Sequence, residues 1–263
     1  MKAFKFITTT VALIVAAMLL QSVAFAKKGG TSILHFMVRA TMVATNADLN
    51  ATGSVNAKLN QQGNADNQRL TIAVGHLDSN ATYRLLALLG DDTNLTEIVD
   101  FDTDASGAAL LKYSFVGSSH GNGHGPGAPL PDALNPLSDI RNLVVQNTST
   151  QEVLNADLTS PDKLQYLVKR AMTNDGVEPG ATASLRIHAS QNSVQFRISA
   201  SGLTATSTYF LAINSDIATN FSSDASGKLR IDGLPGGAPD ILDIHELAIL
   251  NSSSNSVLST SLP

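Results

Sequence analysis

The sequence predicts an all-β protein: two tandem homologous antiparallel β-sandwich domains, immunoglobulin-like or Greek-key, produced by an internal duplication. Three observations carry that expectation. Apolar and polar residues alternate with period two, as Leu70, Ile72 and Val74 do against Arg69, Thr71 and Ala73, a pattern that buries one face of a strand. Short turns rich in Asn, Asp, Ser and Gly, such as Asp78-Ser79-Asn80 and Asn251-Ser252-Ser253-Ser254, recur at the spacing of a sandwich or barrel. The third is repetition: DIRNLVVQNTSTQEVLNADL at 139–158 returns as DIHELAILNSSSNSVLSTSL at 243–262, sharing Asp, Ile, Leu, Asn, Ser, Val, Leu and Leu at paired positions. Such self-similarity marks a repeated structural unit.

From its start, the chain reads first as a leader. Lys2 and Lys5 precede an apolar run through Leu19-Leu20, and Ala24-Phe25-Ala26 closes it. This is the order of a secretory signal peptide with a small-x-small cleavage site. Residues 1–26 are therefore expected to be removed, leaving no stable membrane span and a protein that is secreted, periplasmic or held at the cell surface.

The remaining chain divides into a first repeat at 27–159 and a second at 160–263. Ala57 and Leu59 reappear as Ala183 and Leu185 (183 − 57 = 126), and Thr82-Tyr83 as Thr208-Tyr209 (208 − 82 = 126). Asp104-Ala105-Ser106-Gly107 returns unchanged at 224–227 (224 − 104 = 120), Gly127-Ala128-Pro129 at 237–239 (237 − 127 = 110), and Asp139 as Asp243 (243 − 139 = 104). The falling offset places extra residues in the first repeat, within the stretch 107–127 and again just before Asp139. A shared core with variable loops follows.

Strands are expected around 70–74, at 83–89, 108–115, 141–146 and 153–158, with counterparts around 196–200, at 209–213, 228–232, 245–250 and 257–262. One stretch has competing signals. Ser160-Pro161-Asp162, followed by Leu164, Leu167, Val168 and Ala171, has the cap and stripe of a helix. Its counterpart alternates Leu34, Phe36 and Val38 inward, so the matching Leu164, Tyr166 and Val168 are expected in a strand. Leu143 and Leu247, with Val145 and Ile249, are expected in the core.

Composition narrows the function. Without Lys2 and Lys5 the 17 basic residues fall to 17 − 2 = 15 against 22 acidic ones, a net charge of 15 − 22 = −7. A net acidic chain repels phosphate backbones and anionic lipid, so nucleic acid is not an expected partner. The chain has no cysteine, so it must be held by its hydrophobic core rather than by disulfides.

Two stretches suggest metal chemistry. The glycine-rich insertion at 117–125 carries His120 and His124, whose imidazoles could together bind a transition metal such as Zn²⁺, Cu²⁺ or Ni²⁺; nothing in a glycine-rich loop pre-positions them. Asp100, Asp102 and Asp104 alternate like the opening of a calcium loop. The twelfth position from Asp100 holds Leu111, not a bidentate acid, and the second repeat has Asn220 and Ser222 in place of Asp100 and Asp102. Asp-Ala-Ser-Gly also suits a tight turn by itself.

Catalytic motifs are not apparent: there is no thiol and no His-Glu-x-x-His. His35, His76, His188 and His245 align with Gln165, Gly202, Gln62 and Arg141, so no histidine site is duplicated. The expected function is an exported, non-catalytic protein with a structural, adhesive or protein-binding role at or outside the cell surface, its partner another surface or extracellular protein. The alternative is a metal-binding protein or enzyme using the His120 and His124 loop.

Overall fold

The computed structural model describes residues 32–63, 65–90, 92–117 and 127–262, and the leader expected at 1–26 lies outside them. Residues 31–263 cluster as one compact unit. Its strands are joined into one large curled antiparallel sheet system, with no α-helix among the described residues. In chain order the strands are β1 (Ile33–Ala44), β2 (Thr52–Gln62), β3 (Ala65–Gly75), β4 (Thr82–Leu89), β5 (Thr96–Asp102), β6 (Ala109–Gly117), β7 (Ala128–Pro129), β8 (Ile140–Asn147) and β9 (Glu152–Asp157). There follow β10 (Lys163–Asn174), β11 (Thr182–Ser190), β12 (Ser193–Ser201), β13 (Thr208–Ile213), β14 (Asp216–Ser222), β15 (Leu229–Asp232), β16 (Glu246–Leu250) and β17 (Ser256–Ser261).

A broad central sheet runs β6-β3-β2-β1-β10-β11-β12-β15, with the short β7 alongside β6. Its middle is the pairing of β1 with β10, where Phe36 lies opposite Tyr166. At the far end of β1, Val43 and Ala44 leave the central sheet to pair with β9, which continues through β8 and β4 to β5. At the far end of β10, Thr173 and Asn174 likewise pair with β17, which continues through β16 and β13 to β14. The apolar alternation explains the layering. Leu34, Phe36, Val38, Ala40 and Met42 on β1, and Tyr166, Val168 and Met172 on β10, point inward to a common core, and the outward positions between them are less buried and mix His35, Arg39, Thr41 and Lys169 with Met37, Leu167 and Ala171.

The stretch at 160–171 resolves as β10, because pairing with β1 on one side and β11 on the other satisfies its backbone groups through the ladder. Leu143, Val145, Leu247 and Ile249 are all fully buried. Five strands were not expected: β2, β5, β7, β11 and β14. β2 and β11 do alternate, with Val55, Ala57 and Leu59 or Ala183, Leu185 and Ile187 buried, whereas β5 and β14 show little buried alternation. On β5 the exposed Glu97, Asp100 and Asp102 leave Phe101 as its one buried residue, and β14 has no fully buried residue, so neither shows a clear apolar alternation.

Register corrects the offset for one strand. Met42 faces Gly53 on β2, and Met172 faces Ala183 on β11, so Ala183 takes the place of Gly53 (183 − 53 = 130), not of Ala57. Beyond the hairpin, Leu59 faces Gln68 while Ala189 faces Val194, which restores 194 − 68 = 126. The extra residues therefore lie in the hairpin between β2 and β3. Four residues are two full periods, so the slip exchanged no inward for outward position and left no trace in the pattern. His188 consequently corresponds to Lys58, not to Gln62.

The extra residues before Asp139 are not a surface loop. Leu134 and Leu137 are fully buried and extend the core of the first half. Gln68, wholly buried on β3, anchors this segment: its Nε2 donates to Asn135 Oδ1 at 2.6 Å and its Oε1 accepts from Leu137 N at 2.9 Å. A buried amide satisfied on both sides fixes the segment's position.

Candidate functional site

Asp100, Asp102 and Asp104 do not meet. Asp100 and Asp102 stand on the outward face of β5, where Asp100 receives a hydrogen bond from Arg84 Nε at 3.0 Å and Asp102 one from Thr82 Oγ1 at 2.6 Å. Asp104 belongs to the following turn. Its Oδ1 accepts from Ser106 N at 2.8 Å, Ser106 Oγ at 2.6 Å and Ala108 N at 3.0 Å. Asp224 repeats this with Ser226 N at 2.8 Å, Ser226 Oγ at 2.7 Å and Lys228 N at 2.9 Å. The hydrogen bond from the Ser106 hydroxyl, reinforced by the Ala108 and Ser106 amides, holds the Asp104 carboxyl below its ordinary range; for Asp224 the Lys228 amide leads. His120 and His124 lie outside the described residues. Among the described residues, no three His, Asp or Glu side chains are grouped to hold a metal ion.

The turn is locked from beneath as well. Gly107 and Gly227 have φ of +75° and +69°, and a Cβ on either would sit 1.9 or 2.1 Å from the carbonyl oxygen of Leu77 or Leu203. Tyr83 Oη accepts from Asp78 N at 3.0 Å, and Tyr209 Oη from Thr204 N at 2.9 Å. Thr103 and Ser223 hydroxyls tie the same corners to backbone carbonyls. These residues build corners of the fold.

Two hollows are open. One, of about 260 Å³, is lined in part by Asp139, Arg141 and His245. The Arg141 guanidinium is largely buried and committed to Asp243, an ion pair that ties 141 to 243 across the chain. The other, of about 460 Å³, lies on the outer face of the central sheet where β1 meets β10. There Asp162 Oδ2 accepts from Thr41 N at 2.6 Å and Thr41 Oγ1 at 2.7 Å, Arg39 stands opposite Lys163, and the Asn56 Oδ1 is buried without a partner among the described residues.

That second hollow belongs to a wider surface. Of the 17 Lys and Arg, Lys2, Lys5, Lys27 and Lys28 lie outside the described residues, leaving 17 − 4 = 13. Arg39, Lys58, Arg69, Lys112, Lys163, Lys169, Arg186, Arg197 and Arg230, nine of the thirteen, alternate outward on the central sheet. Its eight main strands contain two carboxylates, Asp66 and Asp232. Asp66 points inward beside Gln68, where burial raises its pKa against the Gln68 hydrogen bond. Only Asp232 faces out with the cations, bound by Arg197 at 2.6 Å and Arg230 at 2.6 Å. The cations occupy period-two positions, which the sequence displays, but their gathering onto one face depends on which strands neighbour one another.

No family model, no characterised protein and no solved structure matches the chain. Function therefore rests on this geometry. Among the described residues no helix is long and apolar enough to cross a membrane.

Proposed function

We infer that the chain is an exported, non-catalytic binding scaffold acting at or outside the cell surface, built from two copies of one β module at 27–159 and 160–263 after loss of 1–26. The observation that carries this reading is the outer face of the central sheet: a broad, uncovered, polar surface on a rigid frame, while Asp100, Asp104, Asp224 and Arg141 are occupied in pairs and turns that stabilise the fold. A binding scaffold needs such a surface, whereas a catalyst needs titratable groups converging in a pocket.

Two identically ordered sets of pairings support the duplication. β1 pairs β2, β2 pairs β3, β3 pairs β6, β4 pairs β5 and β8, and β8 pairs β9, which returns to β1. β10 to β17 repeat that order strand for strand. The offset of 166 − 36 = 130 relates Phe36 to the residue it faces, Tyr166, so the two halves meet at a point of approximate two-fold symmetry.

The test is expression of the full chain in a bacterial host, followed by fractionation and mass measurement. Export with a mature N-terminus at Lys27 is expected. Retention of the intact chain in the cytosol overturns the reading.

A further inference from the structure

Four pairs of like charges stand directly opposite one another across the strands of the central sheet: Arg39 with Lys163, Lys58 with Arg69, Lys169 with Arg186, and Arg186 with Arg197. Like charges in opposed positions destabilise a sheet. Lys169, Arg186 and Arg197 form a row across β10, β11 and β12, neighbouring strands being roughly 4.8 Å apart; Asp232 on β15 closes it against Arg197 and leaves Lys169 and Arg186 without a carboxylate opposite them. At physiological salt, charges are screened only beyond about 8 Å, so each member of the row feels the next. In a protein whose overall charge is −5, this local excess is not a by-product of composition. A bound anion would relieve it.

The surroundings indicate which kind. The outward positions between the cations are mostly amides and hydroxyls, among them Asn56, Asn60, Thr71, Gln165 and Ser199, with the half-buried Met37 and Leu167 and the imidazoles of His35 and His188 interspersed; none on the eight strands is Phe, Tyr or Trp. Single-stranded nucleic acid is gripped through aromatic stacking platforms, and interfacial lipid binding uses an amphipathic helix with Trp, Phe or Leu along one side; this face is a sheet with no outward aromatic side chain, and the large apolar residues exposed on its strands, Val43, Leu110 and Val194, lie singly on β1, β6 and β12. A curled sheet presents its outer side as a convex surface, around which a long flexible polymer can lie. Carboxylate or sulfate groups would meet the arginines and lysines, and sugar hydroxyls would meet the amides. We propose that the outer face of the central sheet, along Arg39, Lys58, Lys163, Lys169 and Arg186, binds an acidic polysaccharide. The proposal deepens the scaffold reading and rests on it for the extracellular setting.

The experiment titrates the purified mature chain with heparin, a sulfated polysaccharide, and with polygalacturonate, a carboxylated one. Binding to both is expected, weakening tenfold or more between about 50 and 200 mM salt as counterions compete. The Lys58→Thr/Lys169→Thr/Arg186→Thr variant should bind at least tenfold more weakly at equal salt and melt no lower than the parent. Lys169→Thr alone should show a smaller loss in the same direction, and serves if the triple variant does not fold. Arg84→Thr, in the sheet beyond, should bind as the parent does. Failure to bind either polymer at about 50 mM salt, or undiminished binding by the triple and single variants, overturns the proposal. Tighter binding to single-stranded DNA or to phosphatidylserine vesicles overturns it in favour of that ligand. A chain that is exported but binds neither polymer leaves the scaffold reading standing, and a chain retained in the cytosol removes that reading whatever it binds in vitro.

Discussion

At the pairing of β1 with β10, Tyr166 faces Phe36 edge-on, ring centroids 6.4 Å apart, and its phenolic oxygen is buried without a hydrogen-bond partner among the described residues. Burial pushes its pKa up to about 12, the nearby Arg170 charge opposing weakly. A buried hydroxyl without a partner costs more than it returns, and the residue Tyr166 faces, Phe36, is itself buried without a hydroxyl. Tyr166→Phe should therefore raise stability by about 1 kcal/mol, read as a higher melting temperature; a fall would show that the hydroxyl is satisfied. Asp104 and Asp224 behave oppositely. Their folded pKa is depressed, so their contribution to stability is complete above the ordinary carboxylate range and is lost as pH falls through the lowered value. Asp224→Ala should melt below the parent at about pH 7, and the gap should close towards about pH 2. An unchanged gap would mean that the carboxylate charge does not matter.

The elements divide by how much of their environment lies nearby in sequence. The turns closed by Asp104 and Asp224 could be recognised from Asp-Ala-Ser-Gly because every donor is within four residues. Gly227→Ala should destabilise by more than about 1 kcal/mol, since both the positive φ and the Leu203 carbonyl exclude a side chain. Equal stability would show that the corner can relax. β16 was legible from its alternation, and Leu247 is fully buried. Leu247→Ala should cost about 2–5 kcal/mol, measured by denaturant unfolding; a change within error would place that face in solvent. β5 and β14 were not legible. β14 buries no residue fully, and on β5 Asp100 and Asp102 alternate outward around Phe101, an alternation that looks like the opening of a metal loop until its partners are known.

The whole molecule turns on the junction of the two halves. β1 and β10 contribute to one sheet, and each also reaches into the sheet beyond it. Neither half can lose its first strand without exposing the other's. Thermal unfolding should accordingly be a single cooperative transition, with calorimetric and van't Hoff enthalpies in agreement. Two separated transitions would show that the halves fold alone. Charge is also a property at this scale: a net value of −5 describes the sum, whereas a ligand meets one face. The expectation that anionic partners are repelled follows from the sum, whereas the central sheet gathers nine Lys and Arg on its outer face.

Much was fixed by sequence alone. Period-two alternation dictates strands and their buried faces, so Leu143, Val145, Leu247 and Ile249 could be assigned to the core, and the Asp-Ala-Ser-Gly turn carries its own hydrogen-bond acceptor. Repetition of whole segments related 139–158 to 243–262 without any structure. What only the tertiary structure decided is adjacency. Strand neighbours are chosen by hydrogen bonds between residues far apart in the chain, and a register slip of an even number of residues leaves the apolar pattern unaltered. The hairpin that holds the extra residues, the burial of Leu134 and Leu137 beneath Gln68, and the row of Lys169, Arg186 and Arg197 all depend on those pairings. Charges scattered along the sequence become a surface only when their strands are placed side by side.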